Sequence, residues 1–146
     1  MLDTNNCFEK RSYHLKLETT STKHWVLTCR INYQHEARLL IDTGASHTCL
    51  DLSFAQLLRV PLSASDESGH GVNAHFKKYE TLLEHFLVGN DYVLEALPVS
   101  VLDLGYVNEQ FATVGELPVQ GIIGNDILEK AAAILDFGRK SLYLHI

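Results

Sequence analysis

The residues best suited to chemistry are grouped at one point of the chain, where an apolar run at residues 39–41 ends in a carboxylate. Five residues follow that run directly: Asp42, Thr43, Gly44, Ala45 and Ser46. A strand would fix the direction of the Asp42 side chain, and a carboxylate fixed in this way can act as a general acid or base. Gly44 permits a tight turn, and the Thr43 hydroxyl can hold the loop by a hydrogen bond. Asp and Gly are also common in ordinary turns, so the tripeptide alone leaves both interpretations open.

A second pattern lies at residues 119–124, where two branched apolar side chains, Ile122 and Ile123, stand between glycines. Taken alone, it is typical of a buried strand that leads into a helix. Asn125 or Asp126 would cap that helix, which is expected to run through residue 132.

The elements that must position these residues are mostly short strands. Strand-like runs occupy residues 13–17, 25–33, 37–41, 47–50, 74–79, 81–88, 92–102, 134–137 and 141–146. Helical spacing marks residues 51–58, with Asp51 as the expected N-cap and Pro61 just beyond the end. Residues 105–118 fit either an irregular loop or a short helix. The pattern therefore predicts a mainly β fold with few helices.

Composition limits the function classes. The chain has 146 residues and is 46% hydrophobic, which fits one soluble domain, expected over residues 13–146 after a flexible segment at residues 1–12. Its 12 Lys and Arg against 18 Asp and Glu give a net charge of −6, which argues against non-specific binding of nucleic acid or of an anionic membrane. The start of the chain is polar, and no apolar run approaches the ~18 residues that span a bilayer. We therefore expect a cytoplasmic protein.

No cofactor or metal is expected. The three cysteines, Cys7, Cys29 and Cys49, are far apart and form no CxxC pair, so they predict neither a disulfide framework nor a thiolate zinc site. The apolar neighbours of Cys49 favour a core thiol over a nucleophile. The histidines His70, His75 and His85 are not accompanied by a helical HExxH motif.

In their order and separation, the two motifs resemble those of the retropepsin-like aspartic proteases. The resemblance covers nearly the whole chain and is carried by residues 42–45 and 122–124. It implies a closed acid-protease-like β-barrel with one or two short helices. It also implies a flap, expected around residues 66–74, in which Gly69, His70 and Gly71 would lie, although this segment is more polar than retroviral flaps.

The resemblance also implies a function. Aspartic proteases need two carboxylates that share a proton, and this sequence has a single Asp-Thr/Ser-Gly, so a homodimer would supply the second Asp42. Residues 141–146 could supply a strand to the dimer. The implied supports of the catalytic loop are Thr43 and Gly44. The implied substrate contacts are Ala45, Ser46, Gly69, His70, Gly71, Ile122, Ile123 and Gly124. We therefore expect an aspartic endopeptidase acting on peptides; the alternative is a dimerising or peptide-binding module with little or no proteolysis.

Overall fold

The computed structural model describes residues 12–65 and 77–145, and within them it has eleven strands and three helices. The strands are β1 (Ser12–Lys16), β2 (Glu18–Thr19), β3 (Trp25–Ile31), β4 (His35–Ile41), β5 (Cys49–Asp51), β6 (Ser63–Ala64), β7 (Tyr79–Val88), β8 (Tyr92–Leu102), β9 (Gly121–Ile123), β10 (Ile134–Asp136) and β11 (Ser141–His145). The helices are α1 (Leu52–Leu58), α2 (Gly105–Thr113) and α3 (Asn125–Lys130). Helix α2 lies in the segment for which the sequence fits either a loop or a short helix.

Six strands close into a barrel, which confirms the predicted fold class. Their order is β3-β4-β9-β5-β8-β7, and β7 pairs back with β3. This closure leaves none of the six with a free edge, which is how a barrel avoids unpaired backbone groups. Short β2 and β6 extend the sheet beyond β3 and β7. The barrel interior is filled by aliphatic and aromatic side chains that are almost fully buried: Ile31, Leu39, Leu50, Leu83 and Phe86.

The register of β4 against β9 brings the two sequence motifs together. The strands run parallel, with Leu39 opposite Gly121 and Ile41 opposite Ile123. Parallel neighbours end at the same edge of a sheet, so Asp42 and Gly124 leave the barrel side by side.

A second, three-stranded sheet has the order β1-β11-β10. β11 lies in the middle, with Leu142 and Leu144 buried beneath it. Both of its edges are paired within the chain, because the alternating run at residues 13–17 forms β1 on one side and the hairpin partner β10 covers the other. Among the described residues, β10 pairs with β11 only from Ser141 to Tyr143, so a dimer strand from residues 141–146 stays a prediction.

No helix in the described ranges 12–65 and 77–145 is both long and apolar enough to cross a membrane.

Candidate active site

The loop that begins at the end of β4 holds the Asp42 carboxylate in a fixed direction. The Asp42 N–H donates to the Ile123 carbonyl at 3.0 Å, and the Ala45 N–H donates to the Asp42 carbonyl at 3.1 Å. The Gly44 N–H donates to Asp42 Oδ1 at 2.8 Å. A side chain at position 44 would put its Cβ 3.1 Å from that same oxygen. Glycine there leaves the half-buried carboxylate undisturbed and partly open to solvent.

The first turn of α3 holds the loop from the opposite side. Asn125 donates twice: its Nδ2 to the Thr43 carbonyl at 2.7 Å and its backbone N–H to the Ala45 carbonyl at 2.8 Å. The Asp126 N–H donates to the Ser46 carbonyl at 3.2 Å. These three bonds connect the helix to consecutive parts of the loop, so the position of α3 sets the shape of the loop.

Asp126 connects α3 to the strand that follows the loop. Its Oδ1 accepts the Thr48 Oγ1–H at 2.7 Å and lies 3.0 Å from the Thr48 backbone nitrogen. The Thr48 hydroxyl in turn accepts the Gly124 N–H at 3.1 Å. Thr48 is fully buried, so the network works in a low-dielectric setting where satisfied hydrogen bonds hold a geometry firmly. The sequence predicts only a helix-capping role for Asp126. The one sequence feature that could indicate its bonds to Thr48 is an acid in the first turn of a helix, in a chain that also has a threonine in an apolar setting.

Apart from the expected flap residues, the expected loop supports, Thr43 and Gly44, and the expected substrate contacts fall into three groups. Thr43, Gly44 and Ser46 are exposed on the loop, and Ala45 is half-buried beside them. Gly124 lies against the loop, but Ile123 is only 1% exposed and belongs to the barrel core. Ile122 is half-buried and packs against a separate cluster under α2 that is formed by Val26, Leu40, Phe111 and Val119. A substrate-binding role for Ile122 and Ile123 stays a prediction.

The expected flap residues Gly69, His70 and Gly71 lie outside the described residues, so that assignment stays a prediction. On either side of them, β6 pairs antiparallel with the start of β7, with Ser63 opposite Glu80.

The two cysteines among the described residues, Cys29 and Cys49, are unsuited to nucleophilic chemistry. Burial raises the pKa of Cys49 to about 11, and burial also raises the pKa of Cys29. A thiol with so high a pKa stays protonated at neutral pH, and the thiolate is the nucleophile. Within residues 12–65 and 77–145, no three His, Cys, Asp or Glu side chains are grouped so that they could hold a metal ion.

Comparison with known proteins agrees with this geometry. The profile of a family described as aspartyl protease matches residues 27–127. No curated protein sequence matches the chain.

Solved structures share its fold. A retropepsin-like aspartic protease from Rickettsia conorii has a TM-score of 0.63 at 17% identity, covering 92% of each chain. The retroviral protease-like domain of Ddi1 from Leishmania major has a TM-score of 0.54 at 14% identity, covering 82% of this chain and 86% of that one. The EIAV protease, solved with the inhibitor HBY-793, has a TM-score of 0.56 at 20% identity, covering 82% of this chain and 99% of the protease. The chain therefore belongs to the aspartyl protease family and has the retropepsin-like fold.

Proposed function

We propose that this protein is an aspartic endopeptidase whose active form is a homodimer, with Asp42 of each copy contributing one carboxylate to the catalytic pair. The observation that carries this proposal is the Asp42 loop. Its carboxylate is half-exposed and accepts the Gly44 N–H at 2.8 Å, and the 146-residue sequence contains no second Asp-Thr-Gly or Asp-Ser-Gly. One such loop per chain is half of a catalytic site.

The chemistry follows from two carboxylates in contact. Like charges so close cannot both ionise at low cost, so the pair holds one proton. The ionised carboxylate takes a proton from water as the oxygen attacks the scissile carbonyl carbon. The protonated carboxyl donates to the carbonyl oxygen, and the tetrahedral intermediate then collapses as the leaving nitrogen is protonated. The hydrogen bond from the Gly44 N–H to Asp42 Oδ1 holds the carboxylate in the direction that the reaction needs.

The surface next to the loop supports a second copy as the partner. A cavity of about 290 Å³ runs from Thr43 and Asn125 along the apolar side chains of Leu128 and Leu135. Leu135 belongs to β10, the outer strand of its sheet within the described residues. A two-fold axis beside Thr43 would bring two Asp42 side chains together and cover this apolar face in one interface.

Substitution of Asp42 tests the proposal. Asp42→Asn keeps the shape of the side chain but removes the acid–base function, so peptide cleavage is expected to fall by roughly 10²–10⁴-fold. Asp91→Asn is the matched control, because Asp91 is an exposed turn residue. Sedimentation should show dimers for the wild type and both variants. Equal cleavage by the wild type and Asp42→Asn would contradict the proposal. A dimer that binds peptides without cutting them would identify the alternative, a peptide-binding module.

A further inference from the structure

A larger cavity, about 520 Å³ in volume, opens beside the end of the catalytic loop. His47 and Thr48, which directly follow the loop, form one wall together with Asp126 of α3. The cavity shares no lining residue with the apolar cavity next to Thr43. A peptide bound at Asp42 can therefore reach into it with a side chain while the proposed dimer face stays covered.

The opposite wall is the outer face of two paired strands. Glu80 of β7 lies opposite Ser100 of β8, and Leu82 lies opposite Pro98. All four residues line the cavity. Side chains alternate between the two faces of a strand, so residues two apart on each strand share one face. The register thus places a carboxylate and a hydroxyl side by side, next to an apolar pair.

Two carboxylates line this cavity, and no cation among the described residues pairs with either of them. Glu80 is exposed, and its carboxylate makes no hydrogen bond within the described ranges. Asp126 Oδ1 accepts the Thr48 hydroxyl, but Oδ2 accepts only the Thr48 N–H, at 3.0 Å. The cavity therefore carries unbalanced negative charge, which attracts cations and repels anions.

The rest of the lining suits a long side chain with a polar end. Leu82 is 54% exposed, and together with Pro98 it offers apolar surface to an aliphatic stem. The Ser100 hydroxyl makes no hydrogen bond in the described part of the chain, so it adds an acceptor beside Glu80. Lysine and arginine combine an aliphatic stem with a positive charge and several N–H donors.

Other side chains fit this lining less well. A negatively charged side chain is repelled by both carboxylates. An aliphatic side chain would cover Leu82, but it would displace water from Glu80 and Ser100 without replacing the hydrogen bonds of that water. An uncharged amide offers hydrogen bonds but no charge to offset the carboxylates. A basic side chain is the occupant that matches both the apolar and the charged parts of the wall.

We propose that this cavity receives a lysine or arginine side chain of the peptide substrate and that Glu80 selects it by its negative charge. This inference rests on the proposed proteolytic function. It makes Glu80 a specificity-determining residue that contacts the substrate directly. Asp126 adds to the same negative charge but also holds the catalytic loop, so Glu80 is the residue to change.

The test uses matched peptides that carry lysine, norleucine or glutamate at one position at a time around the cut bond. Norleucine keeps the length of the lysine stem and removes the charge. At one position the wild type is expected to prefer lysine over norleucine in kcat/KM by roughly 3–5-fold, the upper end of what an exposed ion pair contributes. Glu80→Gln should lower that ratio by about the same factor, and Glu80→Lys should shift the preference toward glutamate.

Glu84→Gln is the matched control, because Glu84 is exposed on the same strand and does not line the cavity. It should keep the wild-type ratio of lysine to norleucine. Added salt should weaken the wild-type preference, since it screens exposed charges. An unchanged ratio in Glu80→Gln would overturn the inference, and so would an equal loss in Glu80→Gln and Glu84→Gln.

Binding separates this inference from the proposed function. The same peptides are titrated calorimetrically into Asp42→Asn and into Asp42→Asn/Glu80→Gln. The proposed function fails if the wild type cuts no peptide. The specificity inference fails if both variants bind the lysine and norleucine peptides with the same ratio of Kd values. A binding preference for lysine that falls about 3–5-fold on adding Glu80→Gln supports the inference even when no cleavage is seen.

Discussion

At the scale of single residues, the most constrained position of the site is Gly124. A Cβ there would lie 2.7 Å from the His47 carbonyl carbon and 2.9 Å from the Ala45 carbonyl oxygen. Both neighbours are backbone atoms, so they can move only if the catalytic loop moves. The glycine is thus required by the close packing of α3 against that loop.

Gly124→Ala is therefore expected to reduce the free energy of unfolding by about 1–3 kcal/mol, the usual cost of overpacking. It should also lower peptide cleavage, since relief of the clash displaces the loop. Chemical denaturation and cleavage rates measure both effects. Gly138→Ala is the control, because its Cβ would meet the Asp136 carboxylate only at 3.4 Å. A Gly124→Ala protein as stable and active as the control would contradict the packing described.

The residues of this site differ in how far the local sequence predicts them. Asp42 and Gly124 are visible because a carboxylate after an apolar strand and a glycine before a helix are local patterns. The bonds of Asp126 to Thr48 are not local, since these two residues are joined only when α3 packs against the loop.

At the scale of elements, alternation and turn residues predict most of the strands. The sequence predicts two strands separated at Glu80, but the structure has no break there. β7 runs unbroken from Tyr79 to Val88 because β6 and β8 pair with it on both sides. Asp51 precedes α1 as expected, but it makes no capping bond. Its Oδ1 accepts the Leu104 N–H at 2.9 Å instead. The unbroken β7 and the bond from Leu104 to Asp51 both depend on contacts between residues far apart in the chain. The local sequence therefore does not predict them.

The link between Asp126 of α3 and Thr48, which directly precedes β5, predicts strong coupling between these two residues. Thr48→Val and Asp126→Ala each leave a buried partner unsatisfied, so each is expected to destabilise the protein. A double-mutant cycle should give a coupling energy of about 1–2 kcal/mol. Unfolding free energies of the four proteins measure it. Thr48→Val combined with Asp91→Asn should be additive; an equally additive result for Thr48→Val with Asp126→Ala would contradict the link.

The turn between β10 and β11 predicts an acid-sensitive contribution to stability. The Arg139 N–H donates to Asp136 at 3.0 Å, and the guanidinium donates at 2.9 Å. These bonds lower the pKa of Asp136 below its ordinary value of 3.8. A lowered carboxyl pKa stabilises the folded state above that ordinary value, and the stabilisation is lost as the pH falls through the lowered one.

The turn is tested by comparing the wild type with Asp136→Asn in urea at several pH values. The wild type should be the more stable protein near pH 6, and the difference should shrink at pH values below the ordinary pKa of 3.8. A difference that stays constant down to pH 2 would show that Asp136 contributes nothing through its charge.

At the scale of the whole molecule, the apolar face near β10 is the surface that a second copy would cover. Ile134 on β10 and Phe137, directly after that strand, are 55% and 65% exposed, and β10 is the outermost strand of its sheet among the described residues. Phe137→Asp would place a charge in the proposed interface, where desolvation opposes association. It should shift sedimentation toward monomer and reduce cleavage in parallel.

Leu57→Asp is the matched control for that prediction, since Leu57 is 64% exposed on α1. It should leave both the sedimentation and the cleavage rate near the wild-type values. A monomeric Phe137→Asp protein that cuts peptides at the wild-type rate would show that one chain suffices for catalysis.

Mixing of subunits tests most directly whether two copies build one site. A fixed amount of wild type is equilibrated with increasing Asp42→Asn, and peptide cleavage is followed. If each site needs Asp42 from both copies, mixed dimers are inactive, and an equal amount of the variant lowers cleavage to about half by random pairing. Larger excesses should reduce it further. Cleavage that stays constant at every ratio, while sedimentation shows that subunits exchange, would contradict the shared site.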